Sequence, residues 1–158
     1  MRPRASRLSL ALLVAGLLFA AAPAGAAVPA VRALPTEMGF DALAKRLSEA
    51  VAANGMGVVA RASASAGAAA RGIKIPGNMV VMVFRNDFAL RMLAASVPAG
   101  IEAPLRFYVT ENADGGATLS YPLPSRVFAP YGNKLLDEMA AELDTIFARI
   151  ADDAVAAR

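Results

Sequence analysis

The sequence contains no histidine, no cysteine and no tryptophan. Without cysteine there is no disulfide, thiol redox centre, iron–sulfur cluster or covalently held haem. Without histidine there is no Ser-His-Asp machinery, no imidazole ligand and no conventional switch near neutral pH. Zinc loses both of its usual ligand types. No cofactor and no metal is therefore expected. The groups left for catalysis are Asp, Glu, Lys, Tyr, Ser and Arg. Acid–base work by Asp87 or Glu111 with Tyr108 is the enzymatic alternative. With the usual catalytic residues missing, the reading leans away from an enzyme.

An excess of positive charge is absent too, once the first residues are set aside. The 158-residue chain has 16 basic and 13 acidic side chains and a pI of about 9.7. Three of the bases, Arg2, Arg4 and Arg7, precede an uncharged run of Leu, Ala, Val and Phe from Leu8 to Ala22. Pro23 ends the run, and Ala24-Gly25-Ala26 offers small residues to a signal peptidase. This pattern predicts a signal peptide over 1–26, with cleavage after Ala26 or Ala27 and a periplasmic or secreted protein. The run is shorter than the roughly 20 residues of a bilayer span, so no stable membrane span is expected after cleavage. Sixteen bases less those three leave thirteen, against thirteen acids. Nucleic-acid binding calls for a basic excess on one face, so nucleic acid is not an expected partner.

What the rest of the chain contains is hydrophobic periodicity. Residues 27–38 read as a flexible leader or a first strand, with Pro29 and Pro35 against the strand. Phe40, Leu43, Ala44, Leu47 and Val51 form one stripe of a helix over 39–53, which Asn54-Gly55 stops. Met56 to Ala62 reads as a strand, and the Ala/Ser/Gly stretch 63–72 as a loop or ragged turn. Asn78 to Phe84 is apolar on both faces and predicts a central strand covered on both sides. Asp87 to Ser96 is a short helix capped by Asn86 or Asp87. Pro104–Thr110 and Ala117–Tyr121 alternate and form a hairpin around Asn112–Gly116. Pairing Phe107 with Leu119 sets Arg106 opposite Ser120 and Tyr108 opposite Thr118. Residues 122–131 read as a loop, and 133–150 as the longest helix. The single domain spans 39–151, with a frayed tail at 152–158.

These elements predict an α+β fold of two layers in β-α-β(4)-α order. An antiparallel sheet carries its helices on one face. The uncovered face bears Arg106, Tyr108, Thr110, Thr118 and Ser120.

The pattern Gly55-Met56-Gly57-Val58, Val80–Phe84 followed by Arg85-Asn86, Ala103–Tyr108 and Asp114-Gly115 resembles the family catalogued as domain of unknown function 302, over about Phe40 to Pro124. Members often have Asn-Pro where this chain has Asn86-Asp87. The resemblance implies a compact α+β domain, similar in element order to the TATA-box-binding-protein-like arrangement. It brings no catalytic residues.

Two constellations are candidate ligand sites. Arg85, Asn86 and Arg91, with Asp87, sit at a strand-to-helix corner suited to an anion or to ordinary capping and ion pairing. Arg106, Tyr108 and Ser120, with Arg126 and Tyr131 from the following loop, suit a small anionic or aromatic ligand. A homodimer or partner module using the same face or an edge strand is the alternative. Met79 and Met82 fall on opposite sides of a strand and the other methionines are scattered, so they read as core. Glu138 and Glu142 read as exposed helix charge, and Glu111, Asn112 and Asp114 as turn chemistry.

Overall fold

The computed structural model describes residues 31–156. The signal-peptide reading and the first part of the leader lie outside the described residues. Five strands form one antiparallel sheet: β1 (Val31–Thr36), β2 (Gly57–Ala62), β3 (Asn78–Phe84), β4 (Leu105–Glu111) and β5 (Ala117–Pro122), in the order β1-β5-β4-β3-β2. The helices are α1 (Phe40–Ala53), α2 (Ala64–Ala69), α3 (Asn86–Ala95), α4 (Pro124–Phe128) and α5 (Lys134–Val155), with 3-10 turns at Val97–Glu102 and Ala129–Tyr131. The fold is the expected two-layer α+β arrangement.

Helix α1 buries Leu43, Ala44, Leu47, Ala50 and Val51, and Gly55 ends its turn at φ 72°. Helix α5 begins at Asn133, whose Oδ1 accepts from the amides of Leu135 (2.9 Å) and Leu136 (3.4 Å). Its stripe runs from Leu136 through Phe147 to Ala154. Both helices lie over Val81, Val83, Leu105, Phe107, Val109, Ala117, Leu119 and Tyr121, the core face of the sheet. Phe107, Tyr121 and Phe147 join the layers, with centroids 4.6 to 5.7 Å apart.

Several boundaries differ from the sequence reading. Residues Val31–Thr36 form a true edge strand, each paired with β5, and Pro35 is tolerated because an edge strand has an unpaired side. The Ala/Ser stretch contains a short helix rather than a loop. Ser63 Oγ caps it by accepting from Ala66 N (3.0 Å), and Ser65 Oγ bonds the amide and carbonyl of Asn78. Low-complexity composition hid two tertiary hydrogen bonds that fix the segment. Residues 124–131 are helical as well, opened by Pro124 in the first turn, a position that needs no amide donor.

The last helix continues to Val155 instead of fraying after Ala151. Ala151 and Ala154 are fully buried, Asp152 pairs with Arg32, and the Asp153 carboxylate accepts from Asn54 Nδ2 at 2.8 Å. The folded unit thus takes in both β1 and this last turn.

The hairpin register is two residues away from the expected one. Val109, not Phe107, faces Leu119, and Tyr108 faces Ser120. Asn112 and Gly116 close the loop through Asn112 N to Gly116 O (2.9 Å), and Gly115 occupies its last position at φ 86°. A three-residue loop ending in a left-handed glycine fixes this register. A shift of two preserves which side chains share a face, so the core set stands and only the cross-strand neighbours change.

Strand β3 is also less covered than its composition suggested. Val81 and Val83 are buried under the helices, while Val80 and Met82 on the far face stay half-buried.

Candidate functional site

The strand-to-helix corner is internally satisfied. Arg85 forks onto Asp87, with Nε to Oδ1 at 2.7 Å and Nη2 to Oδ2 at 3.0 Å. Arg91 forks onto Glu142 at 2.8 and 2.7 Å. Both guanidinium groups lie over the ring of Phe88, at 4.2 and 5.3 Å from its centroid. The Arg85 partnership holds the Asp87 carboxyl below its ordinary range, and the Arg91 partnership does the same for Glu142. Asn86 starts α3 and makes no side-chain cap, and Arg85 occupies the cap position. Both arginines thus fork onto carboxylates of the chain itself, the ordinary ion pairing that the sequence reading set against an anion site.

Beneath Phe88 lies an apolar cavity lined by Met56, Met92, Met139, Leu105 and Phe128, with Arg85 at its edge. Its open volume is about 30 Å³, room for only two or three waters. It brings together three methionines that look scattered in the sequence. A soft cation would need a mouth without a neighbouring guanidinium, so these thioethers act as adaptable packing.

The far face of the sheet is different. Alternation and register place Val31, Ala33 and Pro35 of β1 on it, with Thr118, Ser120 and Pro122 of β5. Arg106, Tyr108 and Thr110 of β4 join Val80 and Met82 of β3 and Ala60 and Ala62 of β2. Among the described strand positions on this face, Arg106 is the one charged side chain. Its cross-strand partner on β3 is Met82, and among the described residues it makes no salt bridge or side-chain hydrogen bond. Tyr108 is 41% exposed between Val80 and Ser120, and Ser120 Oγ leans on the Tyr108 carbonyl at 3.4 Å.

Val31, Val80, Arg106, Tyr108, Ser120 and Pro122 line a shallow groove here of about 470 Å³. Three of the expected site residues are therefore brought together: Arg106, Tyr108 and Ser120. Val31, Val80 and Pro122 were missed, and the alternation of β3 with a correct β5 register would have found Val80 and Pro122.

Arg126 and Tyr131 do not line this groove. They belong to α4 and the following 3-10 turn, and α4 packs on α5 in the helix layer. Arg126 is exposed. Tyr131 donates its hydroxyl to Glu102 Oε1 at 3.0 Å. Burial first, and then that carboxylate, push its pKa upward. The composite pocket expected from the loop is thus corrected: what reads as a loop is helix tied to the other side of the sheet.

The acid–base pairing of Glu111 with Tyr108 is not assembled either. The two are three apart on β4 and so fall on opposite faces. Glu111 Oε2 instead accepts from Gly77 N at 2.6 Å. Among the described residues no group of three or more acidic side chains is placed to hold a metal, and no helix is long and apolar enough to cross a membrane.

No curated protein gives a significant match to the sequence. Among solved structures, that of an uncharacterized conserved protein DUF302 from Bacillus stearothermophilus is similar in fold. The TM-score is 0.71 at 20% identity, covering 78% of this chain and 97% of that one. The model of the family described as domain of unknown function DUF302 matches residues 32–154, nearly all of the folded unit, and the chain belongs to that family.

Proposed function

We propose that this is an exported, non-enzymatic domain whose far sheet face binds a small ligand with a flat apolar body and one anionic group. The observation that carries the reading is Arg106. It is a cation without a carboxylate partner among the described residues, set among Val80, Met82, Tyr108 and Pro122. Tyr108 supplies a flat surface for an aromatic body, and the guanidinium supplies a fork for a carboxylate or sulfonate.

A homodimer or partner module that uses this same face or an edge strand is the second reading, and loss of association in Arg106→Gln or Tyr108→Glu would favour it.

Naphthalene-2-carboxylate tests the reading, with neutral 2-naphthalenemethanol as control, by isothermal titration. Expected is one site that prefers the carboxylate, weakened roughly tenfold or more in Arg106→Gln, as loss of a charge-assisted pair predicts. Arg126→Gln should leave it unchanged. Equal binding of acid and alcohol, or binding indifferent to Arg106→Gln, would overturn it. Export is tested separately by the N-terminal mass of protein recovered from its host. A start at Ala27 or Val28 supports it, and a start at Met1 or Arg2 contradicts it.

A further inference from the structure

Met38 stands in the turn between β1 and α1. Its amide donates to Thr36 Oγ1 at 3.2 Å, which fixes the turn, and its side chain is half-buried against the core. Arg46, about two turns into α1, reaches it: Nη1 donates to Met38 Sδ at 3.4 Å. Nη2 donates to the Asp153 carbonyl at 3.2 Å, in the last turn of α5, where carbonyls lack an intrahelical partner. Among the described residues Arg46 makes no salt bridge. A thioether is a weak acceptor, so half of this guanidinium fork points at a poor partner. Met38 and Arg46 together line an open hollow of about 600 Å³ between the end of β1, α1 and the end of α5. Met56, Met92 and Met139 are instead buried around the small apolar cavity.

We propose that Met38 is a site of reversible oxidation by hydrogen peroxide, and that Arg46 receives its sulfoxide. A lone pair of Sδ attacks one peroxide oxygen as the O–O bond breaks. The S–O bond forms, sulfur gives up two electrons, and the departing hydroxide takes the proton of the transferred oxygen and leaves as water. A methionine sulfoxide commonly harms its protein, because it sets a polar group into apolar packing. At Met38 the new oxygen enters an open hollow beside a guanidinium. A weak acceptor becomes a strong one, and the contact becomes a charge-assisted hydrogen bond. Oxidation thus tightens the joint between the β1–α1 turn, α1 and the last turn of α5. The chain has no cysteine, so the return to the thioether falls to a separate thiol-dependent sulfoxide reductase. Neither Met38 nor Arg46 lines the Arg106 groove, so the site stands apart from ligand binding there.

Limited treatment with hydrogen peroxide followed by peptide mass mapping reads the site. Expected is oxidation of Met38 well before Met56, Met92 and Met139. Met79 and Met82 are half-buried as well, so stability is read in a Met79→Leu, Met82→Leu background. There the thermal midpoint of protein oxidised at Met38 should rise by roughly 2–5 °C over the reduced form, as one added charge-assisted hydrogen bond predicts. Wild-type chains fractionated for a single sulfoxide at Met38 give the same reading without those substitutions. The rise should vanish in Arg46→Leu, compared with its own reduced form so that any loss of basal stability cancels. Methionine sulfoxide reductase with dithiothreitol should restore the reduced midpoint. The proposal is overturned if Met38 resists peroxide as long as Met139 does. It is equally overturned by an oxidised midpoint at or below the reduced one, or by a rise that survives Arg46→Leu.

Discussion

Arg32 and Asp152 are 120 residues apart in the chain and 3.0 Å apart in space, so the first strand and the last helical turn hold one another. Arg32 Nη1 also donates to the Tyr121 hydroxyl at 3.3 Å, which links the pair to the aromatic core. The ion pair is exposed and contributes little by itself, about 1 kcal/mol or less. The buried alanines behind it matter more. Arg32→Met should therefore shift the urea midpoint only slightly. Ala154→Asp, which buries an unpaired charge, should cost more than about 3 kcal/mol. A larger loss in Arg32→Met than in Ala154→Asp would mean that the ion pair, not the packing, fixes the last turn.

Phe107 and Phe147 stack at 4.6 Å with 16° between their planes, and Tyr121 tilts against both. This cluster joins strands β4 and β5 to α5. Phe147→Ala should destabilise by about 3–5 kcal/mol, the range for a large buried aromatic. Phe147→Leu should recover much of that. Equal losses in the two variants by chemical denaturation would argue against a packing origin.

At the hairpin, a Cβ on Gly116 would collide with the backbone carbonyl oxygen of Thr36, and Gly115 sits at φ 86°. Gly115→Ala should cost about 1–2 kcal/mol, for left-handed backbone alone. Gly116→Ala should also disturb the β1–β5 pairing, seen as faster amide exchange at Leu34 and Thr36, whose amides alternate with the proline's towards β5. Undisturbed exchange there would contradict the close approach.

Stability should fall in acid for an identifiable reason. Asp87 and Glu142 are held below their ordinary range by Arg85 and Arg91. The folded chain thus binds fewer protons than the unfolded chain near the ordinary carboxylate pKa of about 4. Their contribution is complete above that pH and is lost as pH falls through the folded values. Exposure keeps it small. Glu142→Gln should flatten the lower part of the acid-unfolding curve and leave the neutral-pH midpoint little changed. At the other end, burial raises the Tyr121 pKa, so stability should fall as pH climbs past about 10. Tyr121→Phe should reduce that alkaline loss, with the remainder carried by Tyr131, whose pKa is raised in the same direction.

The core was legible because alternation and helical stripes depend only on local period. Leu43, Leu47, Phe107, Leu119, Leu136 and Phe147 all declare their faces that way. The boundaries were not. Val31–Thr36 carries two prolines in or near a short run, and becomes a strand only because β5 offers a free edge. Asp152 and Asp153 look like solvated tail until Arg32 and Asn54 stand beside them. Ser65 acquires meaning through Asn78, thirteen residues on, whose side chain also accepts from the Ala64 amide. The site was legible in its Arg106–Tyr108–Ser120 part, which shares a face by alternation. Arg126 and Tyr131 were misplaced because only tertiary packing decides on which side of a sheet a connecting segment folds.

The most direct test of the Arg106 face is amide shift mapping. ¹⁵N-labelled protein would be titrated with naphthalene-2-carboxylate. The account predicts shifts concentrated at Val80, Met82, Arg106, Tyr108 and Ser120, and their disappearance in Arg106→Gln. Shifts centred instead on Phe88, Leu93 and Ile101, or shifts unaffected by the loss of Arg106, would contradict it.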